Sequence, residues 1–90
     1  MIGMGYRVKL KPKAEKELEQ IPHHYRERIK KALYGLGTNP YVGKKLIGKY
    51  TAYFSFRVWP YRIIYRIYQQ ELLILVIRIG HRPRSLLRIV

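Results

Sequence analysis

The sequence has no cysteine and only three histidines, at positions 23, 24 and 81. These absences exclude disulfide bonds and thiolate metal sites. His23 and His24 have no carboxylate or cysteine at ligand spacing, so we expect neither a metal nor another cofactor. The longest apolar run, residues 72–77, is six residues long, whereas a membrane-spanning helix needs roughly 20. Residues 1–5 are too short for the apolar region of a signal peptide, so we expect a cytoplasmic protein with no membrane role.

Acidic residues are also scarce. Lys and Arg number 19 against five Asp or Glu, which gives a net charge of +14. The excess is uneven, because residues 28–90 contain thirteen basic residues and a single acidic one, Glu71. Solubility needs a net charge of only about 2 to 8 in a small domain. The sequence therefore predicts a polyanionic partner that binds the later two thirds of the chain.

The length of 90 residues fits one domain, so residues 1–90 are interpreted as a single unit. A hydrophobic content of 48% beside 27% charged residues is typical of a globular protein and argues against disorder.

The first half of the chain shows strand and then helix periodicity. Apolar and basic residues alternate over residues 6–10, which predicts a first strand. Apolar residues at helical spacing predict a helix that begins at Pro12 and ends by Pro22, and a second helix over residues 23–36. Glycine, threonine, asparagine and proline follow, so residues 37–49 are predicted to form a basic loop.

The second half shows strand patterns over residues 53–58, 61–68 and 72–79, separated by the turn Trp59-Pro60 and by residues 69–71. The resulting order is β-α-α-β-β-β. It predicts a two-layer α+β fold, with a helical hairpin packed on one face of a mainly antiparallel sheet.

Side-chain alternation predicts what the other sheet face carries. Arginines should lie there beside aliphatic residues, namely Arg57, Arg62, Arg66 and Arg78 next to Ile64, Ile74 and Val76. A mixture of this kind is unusual on the exposed surface of a free monomer. We therefore expect an acidic partner protein to cover this face.

Several strings occur in order on these predicted elements: Lys45-Leu46-Ile47-Gly48 before the three strands, Tyr61-Arg62-Ile63-Ile64-Tyr65 in the middle strand and Ile79-Gly80-His81-Arg82 at the end. Together with the opening YRVKLKPKAEKELEQI, they make the chain resemble the RelE family over nearly its whole length. The resemblance implies a toxin of a type II toxin-antitoxin pair. Such a toxin enters the ribosomal A site, cleaves mRNA there without a metal, and is neutralised by an acidic RelB-like antitoxin.

The resemblance also implies roles for individual residues. Cleavage by the neighbouring 2′-hydroxyl needs stabilisation of charge on phosphorus and groups that transfer protons. Arg62 and Arg82 match the family's functional arginines, and a guanidinium presents a planar fork to phosphate oxygens. His81 is assigned as general acid or base. Contacts to the RNA backbone are expected from Lys44, Lys45, Lys49, Arg57, Arg84 and Arg88.

The chain departs from the family pattern at three places. Residues 83–88 contain no tyrosine, although family members commonly carry one after this turn, Ser55 stands where relatives are often basic, and WPYR replaces GDYR. Two other hypotheses therefore stay open. One is a non-catalytic toxin that binds gyrase, as the related ParE proteins do, or the ribosome, or only its antitoxin. The other is a general nucleic-acid-binding module, which explains the charge but not the order of the motifs.

Overall fold

A computed structural model of the protein describes residues 5–46 and 52–81. The elements are β1 (Arg7–Leu10), α1 (Pro12–Glu19), α2 (His23–Thr38), a 3₁₀ turn (Pro40–Val42), β2 (Lys44–Lys45), β3 (Phe54–Val58), β4 (Tyr61–Tyr68) and β5 (Leu73–Gly80). The predicted two-layer α+β fold is confirmed, and so are both helices and the three longer strands of the second half.

The two helices form a hairpin whose apolar stripes face the sheet. Helix α1 begins at Pro12, where a missing N–H costs nothing, and buries Ala14 and Leu18. Helix α2 runs past the predicted Leu36 to Thr38. Its last turn touches the start of the chain, because the Tyr6 N–H donates to the Gly37 carbonyl at 2.7 Å. A Cβ atom at Gly37 would lie 2.9 Å from the Tyr6 carbonyl oxygen, so this approach requires glycine.

The five strands form one sheet in the order β1-β5-β4-β3-β2. All neighbours are antiparallel except β1 and β5, which are parallel, so the sheet is mainly antiparallel as predicted. Strand β2 pairs with β3 in a segment for which a continuous loop was predicted. That prediction was wrong because a buried tyrosine holds the chain beside β3. The Tyr65 phenol donates to the Pro40 carbonyl at 2.8 Å and accepts the Gly43 N–H at 3.1 Å.

The core lies between the helices and one side of the sheet, which we call the helix face. Strand β4 contributes Ile63 and Tyr65, as its alternation predicted. Strand β5 contributes Ile74 and Val76, both fully buried with the helix residues, although these two were predicted for the opposite side. The cause is a β-bulge. Cross-strand pairing shifts from Ile64 opposite Arg78 to Tyr65 opposite Val76, which leaves Ile77 without a partner and interrupts the alternation of β5.

Arg78 pairs with Ile64, so it lies on the side of the sheet that was predicted for it, but it forms an ion pair with α1. Its Nε and Nη2 atoms donate to Oε2 of Glu17 in α1 at 2.9 and 2.8 Å. The other carboxylate oxygen of Glu17 accepts the backbone N–H of Ile79 at 2.9 Å. Strand β1 ends at Leu10, opposite Val76, so Ile79 lies beyond the last paired residue of β1. The Glu17 side chain supplies the acceptor that a longer β1 would have provided.

Candidate nucleic-acid interface

The side of the sheet opposite the helices carries the basic residues of the middle strands. Alternate residues of β4 lie there, and directly paired residues of antiparallel strands share a face. Arg57 pairs with Arg62, and Ser55 pairs with both Ile64 and Lys44. We call this surface the arginine face and define it by Lys44, Ser55, Arg57, Arg62, Ile64 and Arg66.

Arg62 occupies the centre of the arginine face. Its neighbours across the sheet are Arg57 on β3 and Gly80 on β5. Its Nη1 donates to the Ser55 hydroxyl oxygen at 3.0 Å, while its Nε is buried and has no hydrogen-bond partner among the described residues. Within residues 5–46 and 52–81, no carboxylate forms an ion pair with Arg62 or Arg57. Two adjacent guanidinium groups repel each other, so an anion bound between them would relieve the repulsion.

A groove of about 360 Å³ opens beside these arginines. Its lining residues are Val42, Gly43, Lys44, Ser55, Phe56, Arg57 and Arg62. Among its described residues, the lining therefore combines three cationic side chains and one hydroxyl with no carboxylate. A guanidinium binds two phosphate oxygens at once, and an ammonium acts as a mobile point charge. The groove has the chemistry of a phosphate-binding site.

Ser55 is the residue that sequence reasoning undervalued. The sequence marks it only as a departure from a basic position, whereas the structure makes it the acceptor that orients Arg62. Ser55 is 4% exposed, so this hydrogen bond is shielded from water. The signal was available in the short turn after Val58. A two-residue turn sets Val58 opposite Tyr61, and this register brings β3 residues 55 and 57 to the neighbourhood of Arg62.

His81 lies against a different part of the molecule. Its ring centroid is 5.3 Å from that of Tyr61 in an edge-on arrangement, and the Tyr61 ring contacts Tyr25 of α2 at 5.6 Å. Tyr61 belongs to the helix face, whereas Arg62, the next residue, belongs to the arginine face. The structure therefore does not bring the His81 imidazole together with the Arg62 guanidinium.

Comparison with known proteins identifies a toxin family. Residues 8–86 match the family model described as the ParE toxin of type II toxin-antitoxin systems. The chain belongs to the RelE/ParE toxin superfamily. A putative RelE-like toxin protein of Escherichia coli is 30% identical over 84 residues, which cover 91% of this chain and 88% of the relative. The protein is thus a toxin of the type II toxin-antitoxin class.

Solved structures of RelE-type toxins share the fold. The toxin-antitoxin complex RelBE2 from Mycobacterium tuberculosis aligns with a TM-score of 0.82 and 28% identity, covering 87% of this chain and 99% of that one. The isolated RelE toxin of E. coli aligns with a TM-score of 0.76 and 22% identity, covering 94% and 99%. The RelE/ParE fold is therefore present over most of the chain.

The remaining basic residues predicted for this RelE/ParE toxin are divided between surfaces. Lys44 and Lys45 are both exposed on β2, but Lys44 pairs with Ser55 on the arginine face and Lys45 pairs with Phe54, which packs against the core. Other predicted site residues lie outside the described residues, namely Lys49, Arg82, Arg84 and Arg88. Their roles stay predictions.

Two negative findings concern only the part of the toxin that the structure describes. No three His, Asp or Glu side chains there come together closely enough to hold a metal ion. No helix in the same ranges is both long and apolar enough to cross a membrane.

Proposed function

We propose that this toxin binds mRNA in the ribosomal A site with the arginine face and cleaves it by attack of the neighbouring 2′-hydroxyl, without a metal. The observation that carries the proposal is Arg62. Its guanidinium is oriented by Ser55, it has no carboxylate partner among the described residues, and it lies beside Arg57 and Lys44 in one groove. Fixed positive charge aimed at a phosphate stabilises the charge that develops on phosphorus in the transition state.

The roles of the other site residues follow from the family resemblance. Arg82 would share the phosphate with Arg62, and His81 would transfer a proton after its ring leaves Tyr61. The remaining basic residues would hold the RNA backbone through contacts that add affinity without reading sequence, namely Lys44, Lys45, Lys49, Arg57, Arg84 and Arg88.

A second candidate is a non-catalytic toxin that binds gyrase, the ribosome or only its antitoxin. The position of His81 favours it, because the ring packs against Tyr61 on the far side of the sheet from Arg62. Among the described lining residues of the groove, none is a histidine, aspartate or glutamate. Serine and arginine do not exchange protons at neutral pH, so catalysis would depend on residues outside this lining.

We also propose that an acidic RelB-like antitoxin neutralises the protein. A net charge of +14 and a groove of three cations support a partner of opposite charge. The solved relatives include complexes of RelE-type toxins with their antitoxins, from M. tuberculosis and from Pyrococcus horikoshii. Co-expression with the product of the adjacent reading frame should yield a stable complex and relieve growth inhibition. Growth inhibition that persists beside a soluble, uncomplexed antitoxin would contradict this pairing.

The deciding experiment for cleavage is primer extension on a message in a translating extract. We expect cuts at A-site codons with the unmodified protein and a fall of about 100-fold or more with Arg62→Ala, because one transition-state charge contact is lost. Arg62→Lys should recover little activity, since lysine lacks the planar fork. Arg28→Ala is the matched control. It removes the same charge from an exposed position on α2 and should leave cleavage intact.

Two results would overturn the first candidate. Cleavage that Arg62→Ala leaves unchanged would remove the groove from the mechanism. Intact messages together with arrested DNA replication would support gyrase as the target and thus the second candidate.

A further inference from the structure

Arg66 is held between aromatic rings at the other end of β4. Its guanidinium carbon lies 5.4 Å from the centroid of the Tyr53 ring and 5.1 Å from that of the Tyr68 ring. Both distances are within the range of cation–π attraction. Tyr53 precedes β3 and Tyr68 ends β4, so two separate parts of the chain position one cation.

This cluster is distinct from the groove around Arg62. Arg66 lies four residues further along the same strand, on the same face, which places it roughly 13 Å away at the usual strand rise. None of its three members lines that groove. On the β5 side, Arg66 pairs with Leu75 and Tyr68 pairs with Leu73, so no acidic residue adjoins the cluster across the sheet.

The guanidinium of Arg66 keeps its hydrogen-bonding capacity for a ligand. Among residues 5–46 and 52–81, no carboxylate forms an ion pair with it, and none of its nitrogens donates to a described acceptor. Glu71, in the turn after Tyr68, forms no ion pair with it either. The two rings limit the movement of the guanidinium before any ligand arrives, which lowers the entropy cost of binding.

We propose that Tyr53, Arg66 and Tyr68 form a second nucleotide subsite for single-stranded RNA. In this subsite the guanidinium binds a phosphate, and a tyrosine ring stacks on the adjoining base. Unstacked bases are recognised by aromatic rings and by guanidinium planes, and the cluster presents both. The inference rests on the proposed function, because it extends the path of RNA along β4 from Arg62 to Arg66.

A carboxylate of an acidic partner protein is the competing ligand for Arg66. RNA is favoured because the cation is flanked by two rings that a carboxylate would leave unused, and because the cluster continues a line of arginines on one strand.

The distance between the two arginines predicts how long an RNA must be to reach both. A dinucleotide that occupies the Arg62 groove is too short to reach Arg66, whereas an octanucleotide reaches both positions.

The test measures binding of 2′-O-methyl RNA, which cannot react through its 2′-oxygen. A fluorescent octanucleotide is titrated by anisotropy, and a dinucleotide by NMR chemical shifts. We expect Arg66→Ala to weaken the binding of the octanucleotide about tenfold. The slope of log affinity against log salt concentration should fall in magnitude by about 0.7. Dinucleotide affinity should not change. Tyr68→Leu should weaken the binding of the octanucleotide, whereas Tyr68→Phe, which keeps the aromatic ring, should leave it unchanged.

Controls separate this inference from the proposed function. Arg62→Ala should weaken the binding of both RNAs. Arg28→Ala should weaken the binding of neither beyond the general effect of losing one positive charge. If Arg62→Ala has no effect on either RNA, the proposed function fails. If Arg62→Ala weakens the binding of both RNAs while Arg66→Ala and Tyr68→Leu leave both affinities unchanged, only the proposal of the second subsite fails. Loss of binding to the purified antitoxin in Arg66→Ala, with octanucleotide affinity unchanged, would overturn the subsite in favour of a protein contact.

Discussion

The two faces of the sheet are built from the same strands but differ in charge and in the side chains that β4 contributes to them. On the helix face, β4 contributes Ile63 and Tyr65, both fully buried, to a continuous apolar cluster with α1 and α2. On the arginine face, the same strand contributes Arg62 and Arg66, which are partly exposed and have no carboxylate partner within the described ranges. Consecutive residues of β4 therefore point to the core and to the arginine face in alternation.

This difference predicts that neighbouring residues of β4 affect stability and the proposed RNA binding separately. Burial of apolar groups stabilises the fold through the helix face. On the arginine face, Arg62 and Arg66 have no carboxylate partner among the described residues, so their charges are left available for an anion. Substitutions on either side of β4 should thus have different consequences.

The largest expected effect is the difference between two adjacent residues of β4 that lie on opposite faces of the sheet. Ile63→Ala leaves a cavity on the helix face and should lower the free energy of unfolding by about 2 to 5 kcal/mol. The adjacent Arg62→Ala should change it by at most about 1 kcal/mol, because it removes one hydrogen bond together with an unsatisfied donor. Urea denaturation of both variants measures the difference. Equal destabilisation by the two substitutions would break the comparison.

The second prediction concerns Arg78, whose charge is neutralised by a carboxylate of α1. Glu17→Ala leaves the Arg78 guanidinium unpaired at 17% side-chain exposure and removes the acceptor of the Ile79 N–H. We expect a loss of about 2 kcal/mol in the free energy of unfolding. Glu27→Ala is the control, since Glu27 forms a longer, exposed pair of 3.6 Å with Lys30 and should cost less than about 1 kcal/mol. Similar losses in both variants would show that the Glu17 contacts are no stronger than a surface pair.

The third prediction concerns the residue that links the core to β2. Tyr65→Phe removes the hydrogen bonds to Pro40 and Gly43 and should lower the free energy of unfolding by about 1 to 3 kcal/mol. It should also loosen the strand that carries Lys44. Hydrogen exchange at residues 43–45 would detect the loosening, and unchanged exchange there would contradict the assigned role.

Tyr65 also predicts a pH dependence. Burial raises the pKa of its phenol above the ordinary value, although the hydrogen bond from Gly43 acts in the opposite direction. The unfolded chain therefore loses this proton first, near pH 10. Between the two pKa values the folded state binds more protons, so its stability falls as the pH rises. The difference in the free energy of unfolding between the unmodified protein and Tyr65→Phe should have its full value below about pH 10 and decrease above it. Urea titrations at neutral and alkaline pH test this, and a gap that widens would reverse the sign.

The smallest expected effect lies in the turn between β4 and β5, outside both faces. Leu72 has a φ of 49° and is 45% exposed, so its side chain strains the backbone and contributes little to packing. Leu72→Asn should raise the free energy of unfolding by about 0.5 to 1 kcal/mol, because asparagine tolerates the left-handed region. Leu72→Ala, which keeps a Cβ without the local hydrogen bonding, should give no such gain. A loss of stability in Leu72→Asn would show that the leucine side chain is needed for packing.

The fold was largely predictable from local patterns. The stripe of apolar residues in each helix and the alternation in β4 identified the helix face correctly, because period 3.6 and period 2 are properties of the backbone alone. Strand β5 was different. Six consecutive apolar residues contain no alternation to assign a face, and the bulge at Ile77 then shifted Arg78 out of phase with Ile74 and Val76.

The candidate site was predictable only in part. Arg57 and Arg62 share one side of the sheet, as the alternation predicted, whereas Lys44, which was assigned to a loop, lines the same groove from β2. The partners of the other residues could not be derived, because they are distant in the chain. Glu17 and Arg78 are separated by 61 positions, and Gly43 and Tyr65 by 22. The contact between His81 and Tyr61 likewise depends on how β5 ends beside β4.

The sequence by itself determined the class of fold, the excess of positive charge and the side of β4 on which Arg62 lies, since each follows from composition or from short-range periodicity. Only the tertiary structure decided which cations remain available for an anion. Arg78 is neutralised by Glu17 of α1, whereas Arg62, among the residues that the structure describes, bonds only to the hydroxyl of Ser55. That distinction arises from strand register and long-range packing, which no local pattern encodes.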